Sequence, residues 1–426
     1  MSILECTIGG VSSVNPFWLA SAPPTDKQYN VERAFRAGWG GAVWKTLGED
    51  PPVVNTTSRY GVHRSHDRRI LGINNIELIS DRPLDVNLNE IEAVRKAWPD
   101  RVIIGSIMAP IDEGAWKSLA VKVANAGVHG IELNLGCPHG MCERGMGSAI
   151  GQAPTLVEQT ARWVREAVGL PVFTKLTPNV MDILIPAGAA KKGGAGAVSL
   201  INTVNSIISV DLDAMAPRPG VDGRGTHGGY CGEAVKPIAL HMIAEIARNQ
   251  DLQGLEISGI GGITTWRDAA EFIALGASGL QVCTAAMLYG FRIVEDMIDG
   301  LSTFMRDKGY RCIADFKGRA VANCADWNDL NMNYSVKARI DEAACIECGR
   351  CYVACEDVAH QAIRIETKAD GGRKFIVSDD DCVGCNLCMI ACPVKDCISM
   401  EPVDTDLPYL TWPEYQNDPH RRPTGH

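Results

Sequence analysis

The sequence predicts an α/β protein: a (β/α)8 TIM barrel with a C-terminal two-cluster ferredoxin-like domain. Three observations predict it. Eight short apolar runs between residues 17 and 283 alternate with longer stretches whose apolar residues recur three and four apart, the signature of strand–helix repetition on a parallel sheet. Eight such units over this length suit a closed barrel better than an open doubly wound sheet. Eight of the sixteen cysteines then fall between Cys345 and Cys392 in two matching sets.

The candidate strands, in order, are Phe17–Ala22, Ala42–Thr46, Val102–Met108, Gly130–Leu135, Val172–Leu176, Ala197–Asn202, Leu255–Ser258 and Leu280–Cys283. Thr155–Val168 and Ala234–Arg248 carry the clearest helical periodicity between them. Segment 203–233 is rich in Gly and Pro with little periodicity, and reads as an extended loop or lid after the sixth strand. These patterns divide the chain into a barrel over 1–335, a cysteine-rich domain over 336–402 and a Pro-rich tail over 403–426. The tail is expected to be extended, either packed on a neighbouring surface or mobile.

Composition narrows the class. Of the 426 residues 46% are hydrophobic and 22% charged, as in an ordinary globular protein of two or more domains. A net charge of −10 disfavours nucleic acid and anionic membrane surfaces. The opening residues lack a basic stretch followed by an apolar one, and no run of apolar residues is long enough to span a bilayer. A cytoplasmic location is therefore expected. In that reducing compartment the cysteines point to metal binding or catalysis rather than disulfides.

The first set is Cys345-x2-Cys348-x2-Cys351-x3-Cys355, the second Cys382-x2-Cys385-x2-Cys388-x3-Cys392 followed by Pro393. This is the spacing of two-cluster ferredoxins, in which the fourth cysteine of each run ligates the other cube. Cys345, Cys348, Cys351 and Cys392 are assigned to one [4Fe–4S] cluster. Cys382, Cys385, Cys388 and Cys355 are assigned to the second. Structural zinc would use two separated Cys-x2-Cys pairs instead. Glu356 stands after Cys355 where Pro393 follows Cys392, which changes the local turn and removes no ligand. Cys397 reads as a small core thiol. Two cubes move single electrons, so a flavin is the expected coupler to two-electron chemistry.

Barrel enzymes place their chemistry at the C-terminal strand ends. There the sequence puts Lys45-Thr46, Asn134 to Pro138, Lys175 to Asn179, Asn202-Thr203, Ser258 to Gly262 and Cys283-Thr284. Gly261 and Gly262 allow close backbone approach to an anion, and a helix N-terminus is expected near Thr264, so a phosphate is placed there. Lys175 could stabilise the anionic N1–C2 edge of a reduced flavin, and Lys45 could hold flavin or ribityl oxygens. Either alone could equally pair with a nearby carboxylate. Two lysines in one barrel mouth favour a cofactor.

The runs Ala20-Ser21-Ala22-Pro23-Pro24-Thr25, Asn75-Ile76-Glu77-Leu78-Ile79-Ser80 and Asn134-Leu135-Gly136-Cys137-Pro138-His139-Gly140-Met141 resemble the dihydropyrimidine dehydrogenase family. So do Glu143-Arg144-Gly145-Met146-Gly147, Lys175-Leu176-Thr177-Pro178-Asn179 and Asn202-Thr203-Val204. The resemblance covers nearly the whole chain; the related dihydroorotate dehydrogenases share the barrel and lack most of these runs. It implies FMN in the barrel and reduction of uracil or thymine to the 5,6-dihydro form, with NAD(P)H as ultimate reductant. It implies that Cys137 protonates C5 while reduced FMN gives hydride from N5 to C6. It carries pyrimidine contacts onto Asn75, Glu77, Asn134, Asn202 and Thr203. FMN contacts fall on Ser21, Lys45, Lys175, Gly262 and Thr284, and on Gly229 or a neighbour, beside Gly261 and Cys283 from the strand-end reading.

The residues agree with these roles. Asparagine amides match the alternating donors and acceptors of a pyrimidine edge, and Glu77 can accept from a ring N–H. A carboxylate such as that of orotate would be repelled near Glu77. A thiol of ordinary pKa is protonated at neutral pH, as an acid must be. Residues 139–147 read as a mobile lid. Cys142 within it departs from the family run and is given no role.

No Gly-x-Gly-x-x-Gly is seen after a strand, so NAD(H) and FAD are expected on a separate flavoprotein subunit, in a heterotetramer. Two rival readings stand beside this one. They are a dihydroorotate-dehydrogenase-type enzyme and a non-catalytic iron–sulfur electron-transfer flavoprotein.

Overall fold

The computed structural model describes residues 3–419 and divides into two compact units, Met1–Cys324 and Ala325–His426. In the first, eight parallel strands close a barrel. They are β1 (Phe17–Leu19), β2 (Gly41–Leu47), β3 (Val102–Ile107), β4 (Gly130–Asn134), β5 (Val172–Lys175), β6 (Ala197–Leu200), β7 (Glu256–Ile260) and β8 (Gly279–Val282). A helix follows each: α1 (Gln28–Ala37), α2 (Leu84–Ala97), α3 (Glu113–Asn125), α4 (Pro154–Ala167), α5 (Leu184–Lys192), α6 (Lys236–Arg248), α7 (Trp266–Ala274) and α8 (Ile293–Asp307). The (β/α)8 barrel is thus the fold, and each strand pairs with its sequence neighbours, β5 with β6 closing the ring.

Alternation inside the barrel separates two layers. Trp18, Val43, Ile104 and Phe173 form an apolar floor with Ile8 and Val11. Full burial of a side chain such as Phe173 contributes about 1.5–3 kcal/mol over leaving it in water. Ile8 and Val11 belong to a hairpin, Cys6–Ile8 with Val11–Ser13, whose two-residue turn Gly9-Gly10 takes positive φ at both positions. Such a turn matches strand twist and suits glycine. Two residues beyond Val43, Ile104, Phe173 and Ala197 of this layer the inward positions become polar: Lys45, Ser106, Lys175 and Ser199 are all buried. A register shift between Trp44 and Leu47 breaks the alternation, and both Lys45 and Thr46 line the space above the barrel.

Segment 203–233 is not the plain loop expected. It contains short antiparallel strands, and Gly228–Cys231 pairs on one side with Val204–Ser206 and on the other with Ile70–Asn75, which in turn pairs with Tyr60–Arg64. This four-stranded sheet joins insertions after β2 and β6. The segment also contains Gly223-Arg224-Gly225-Thr226-His227-Gly228, which has the dinucleotide-fingerprint spacing. It runs through antiparallel ladders instead of opening a helix, so it lacks the strand–turn–helix context that binds pyrophosphate.

In the second unit, Ser335–Ile340 pairs with Ile398–Val403 and Ile363–Thr367 with Arg373–Val377. Two short helices, Arg350–Glu356 and Leu387–Ala391, follow the cysteine loops. Their N-caps, Gly349 and Asn386, occupy equivalent places and both adopt left-handed φ. The second helix stops at Ala391 because Pro393 disfavours helical geometry in the residue before it. Glu356, in the matching place of the first set, lets that helix run on.

The tail is not wholly extended. Thr411 and Glu414 form a capping box that starts a helix over Trp412–Asn417. It folds back on residues just after the barrel: the Trp412 and Trp327 rings lie 6.0 Å apart, and Asn333 Nδ2 donates to the Pro408 carbonyl at 2.8 Å. Segment 325–334 therefore groups with the second unit, ahead of the expected boundary at 335. The remainder of the tail, 420–426, lies outside the described residues.

Candidate active site and cysteine pockets

A cleft of about 1300 Å³, counting space open to solvent, sits at the C-terminal ends of the barrel strands. Ser21, Lys45, Asn75, Glu77, Asn134, Cys137 and Lys175 all line it, as do Asn202, Thr203, Gly261, Gly262, Cys283 and Thr284. Gly229 does not. It lies in the sheet behind Thr203, where a Cβ would overlap the threonine hydroxyl, and its carbonyl takes the Asn75 amide at 3.0 Å. Cys231 and Gly232 line the cleft in its place. Tyr60 and Gln281, which no spacing or motif singled out, also line it, as does His139 from the Asn134 to Met141 run.

The asparagines are linked to one another. Asn202 Nδ2 donates to Asn134 Oδ1 at 3.0 Å, and Asn134 Nδ2 donates to Thr46 Oγ1 at 2.9 Å. Thr46 is held further by Ser21 and Ser106. Each amide keeps hydrogen-bonding capacity beyond these links.

The two lysines differ. Lys45 Nζ contacts Glu77 Oε1 at 3.0 Å and Asp26 Oδ2 at 3.4 Å. Arg59 reaches the same Glu77 oxygen at 2.9 Å. Glu77 is thus a compensated carboxylate rather than a lone negative charge, which weakens the repulsion expected of it toward orotate. Lys175 Nζ lies 3.9 Å from Glu132 Oε1, outside hydrogen-bond range.

Cys137 is 9% exposed, and its thiol is directed to the His139 carbonyl at 3.5 Å. Burial pushes that thiol up to about 11. Met141 and Met146 from the following segment pack with it against Leu78, Ile79 and Met108. Cys142 donates to the Pro138 carbonyl at 2.9 Å.

The helix start near Thr264 already carries a protein carboxylate. Asp268 takes the Thr264 and Thr265 amides at 3.0 and 2.8 Å, so its carboxylate already caps α7. The short helix Thr284–Tyr289 differs, since its N-cap Cys283 makes no side-chain cap bond. Gly261 and Gly262 lie beside it with φ of +124° and +76°. A Cβ on Gly262 would sit 2.8 Å from Lys236 Cβ and 3.0 Å from the Gly232 carbonyl. Gly262→Ala is accordingly expected to destabilise the unit by about 1–3 kcal/mol, read as a lowered midpoint in thermal or urea unfolding. These residues fit a flavin mononucleotide: open amides and glycine backbone for a phosphate, and a buried ammonium for the ring.

The cysteines of the second unit ring two small pockets. Cys345, Cys348, Cys351 and Cys392 line one; Cys355, Cys382, Cys385 and Cys388 line the other. Among the described residues no three His, Cys, Asp or Glu side chains converge as a single metal ion would require. Thiols spread around a void fit the corners of a cube. Backbone amides reach two of them: Glu347 N lies 3.4 Å from Cys345 Sγ and Ala362 N 3.3 Å from Cys355 Sγ, contacts of the kind that tune cluster potential. Cys397, 2% exposed, lines the first pocket as well.

Comparison with known proteins places this architecture. Residues 3–305 match the family model described as dihydroorotate dehydrogenase, and residues 338–400 match the 4Fe-4S dicluster domain. The chain belongs to the dihydroorotate dehydrogenase family, joined to a 4Fe–4S dicluster domain. Within that family it is an oxidoreductase of the dihydropyrimidine dehydrogenase type. It is 42% identical over 366 residues to the NAD-dependent dihydropyrimidine dehydrogenase subunit PreA of Escherichia coli, covering 86% of this chain and 88% of that protein. It is 39% identical over 336 residues to the chloroplastic dihydropyrimidine dehydrogenase (NADP(+)) of Arabidopsis thaliana, covering 77% and 79%. The catalytic subunit of dihydroorotate dehydrogenase B (NAD(+)) of Pyrococcus abyssi is 35% identical over 320 residues, 75% of this chain. Among the described residues no helix is long and apolar enough to cross a membrane.

Proposed function

We propose that the chain reduces the 5,6 double bond of uracil or thymine, reversibly, with FMN in the barrel cleft. The observation that carries this reading is the convergence of Cys137, three asparagines, Thr203 and Glu77 around one cleft that also holds the Lys175 ammonium. When bound, reduced FMN supplies hydride to C6. Cys137 supplies the proton to C5; burial keeps its thiol protonated well past neutral pH. Asn75, Asn134 and Asn202 orient the ring through their amides, and Thr203 closes the same edge. Glu77, fixed by Lys45 and Arg59, accepts from a ring N–H. Ser21, Lys175, Gly261, Gly262, Cys283 and Thr284 hold FMN, and the segment 139–147 closes over the ring and excludes water.

Electrons reach the barrel from the two [4Fe–4S] clusters, and those are loaded by a separate flavoprotein subunit carrying FAD and NAD(H). Support for the partner comes from the relative named as an NAD-dependent subunit and from the lack of a strand–turn–helix glycine fingerprint among the described residues. The complex works in the cytoplasm.

Substrate choice provides the test. Lys45 and Arg59 are already engaged by Glu77, so neither is left to pair with a ring carboxylate beside it. Chain reduced anaerobically and mixed with uracil is expected to show flavin reoxidation at least about tenfold faster than with orotate, a difference of about 1.4 kcal/mol. Faster reoxidation by orotate would overturn the pyrimidine assignment in favour of dihydroorotate-type chemistry.

A further inference from the structure

We infer that Glu132 is a positioning residue, an internal counter-ion that holds the Lys175 ammonium aimed into the cleft. The inference rests on the FMN reading above and names a group outside the cleft that governs it. Glu132 is inward on β4, two residues before Asn134, and is 0% exposed. Its Oε2 accepts from Gln281 Nε2 at 3.0 Å, while Oε1 has no hydrogen-bond partner. The same Gln281 nitrogen lies 3.1 Å from both Ser199 Oγ and Ser258 Oγ. Those neighbours are neutral, so they cannot balance a carboxylate shut away from water. Lys175 Nζ at 3.9 Å is the cation that does so.

A buried carboxylate without a cation takes up a proton, and a buried ammonium without an anion loses one. The two groups therefore hold one another as an ion pair inside the barrel. The separation matters as much as the pairing. At 3.9 Å the attraction is strong in a dry interior, yet no N–H of Lys175 is consumed by a hydrogen bond to Glu132. The ammonium keeps its donors for whatever occupies the cleft it lines. Lys45 is the contrasting case, since Glu77 and Asp26 both lie within hydrogen-bond reach of it. Of the two lysines, Lys175 is the one free to answer negative charge that develops on a bound ring, and Glu132 makes that possible without touching the ring.

The test uses the full-length holoprotein. Glu132→Gln is nearly isosteric and keeps an acceptor for Gln281. The readout is the affinity for FMN in its oxidised and two-electron-reduced forms. In wild type the reduced form gains from the Lys175 charge. Glu132→Gln is expected to lower the ratio of reduced to oxidised affinity by at least about tenfold. Lys175→Met should lower it equally, and the double variant should fall no further than Lys175→Met alone. An unchanged or raised ratio in Glu132→Gln would overturn the inference. Should that single variant not fold, the double variant removes both charges together, a change buried pairs tolerate better. A further drop in the double variant relative to Lys175→Met would then show that Glu132 acts independently, which also overturns it. Wild-type protein that binds no FMN is a separate outcome and would instead remove the reading on which the inference stands.

Discussion

Replacing Cys137 with alanine is expected to slow pyrimidine reduction by about 10²–10⁴-fold while leaving FMN and both clusters reducible. The size follows from the task. Hydride arriving at C6 would leave enolate charge on C5 and the neighbouring carbonyl oxygen, and a proton delivered to C5 discharges it. Cys137 lines the cleft with Asn134 and Asn202, and Met141 and Met146 pack around it. The pH dependence should differ between directions. Burial raises the thiol to about 11, so the acid form dominates throughout the neutral range. Reduction should therefore be flat with pH until the thiol itself begins to ionise. Oxidation of the dihydropyrimidine needs the thiolate as base. Its fraction grows about tenfold per pH unit below the pKa, so that rate should climb with a slope near one. Serine in place of Cys137 restores shape without comparable acidity and should recover little. Stopped-flow reoxidation of the reduced flavin by uracil reads all of this. An alanine variant that turns over at the wild-type rate would remove Cys137 from the chemistry.

The barrel was legible because its strands are buried on both faces and read as apolar runs, as parallel strands do. All eight lie where expected, with ends displaced by one to three residues. The displacement has a cause. Ala20, Leu135 and Leu176 continue beyond their strands in buried loop segments, so hydrophobicity does not mark the last ladder bond. The four-stranded sheet above the barrel was hidden for a different reason. Its central pairing joins Ile73 to Cys231 and Asn75 to Gly229, more than 150 residues apart, and its strands contain Gly-Gly and Asn-Asn.

The same division runs through the site. Lys45, Asn134 and Lys175 were readable because they stand at or near the C-terminal ends of strands that read as apolar runs. Asp26, Arg59 and Glu132 were not, since an ion pair formed across loops or across a barrel leaves no spacing behind. The cap of the helix that starts near Thr264 was legible as well. Thr265-x-x-Asp268 is a capping pattern, and its acidic residue takes the Thr264 and Thr265 amides.

The largest structural effect is expected from removing cysteines that stand in one run but line different pockets. The pockets place Cys392 with Cys345, Cys348 and Cys351, and Cys355 with Cys382, Cys385 and Cys388. If cubes occupy them, ligands distant in sequence belong to one cluster, and ligands in one run belong to two. Full-length protein should carry about eight irons, four per cube. Cys348→Ala and Cys392→Ala should each abolish the same cluster, so their double variant should retain about four irons. Cys385→Ala combined with Cys392→Ala should lose both clusters, although those residues stand in one run. Cys397 lines the first pocket and could replace Cys392, so the variants are best built with Cys397→Ala. Buried residues of the second unit include Cys351, Cys355, Cys382 and Cys388 themselves, so its core is built around the clusters. Loss of both should therefore unfold it, because cluster binding energy there is folding energy. Iron analysis with low-temperature EPR of the reduced protein distinguishes the alternatives. About four irons in Cys385→Ala/Cys392→Ala, with none in Cys348→Ala/Cys392→Ala, would mean that each run holds its own cube and that the crossed arrangement is wrong.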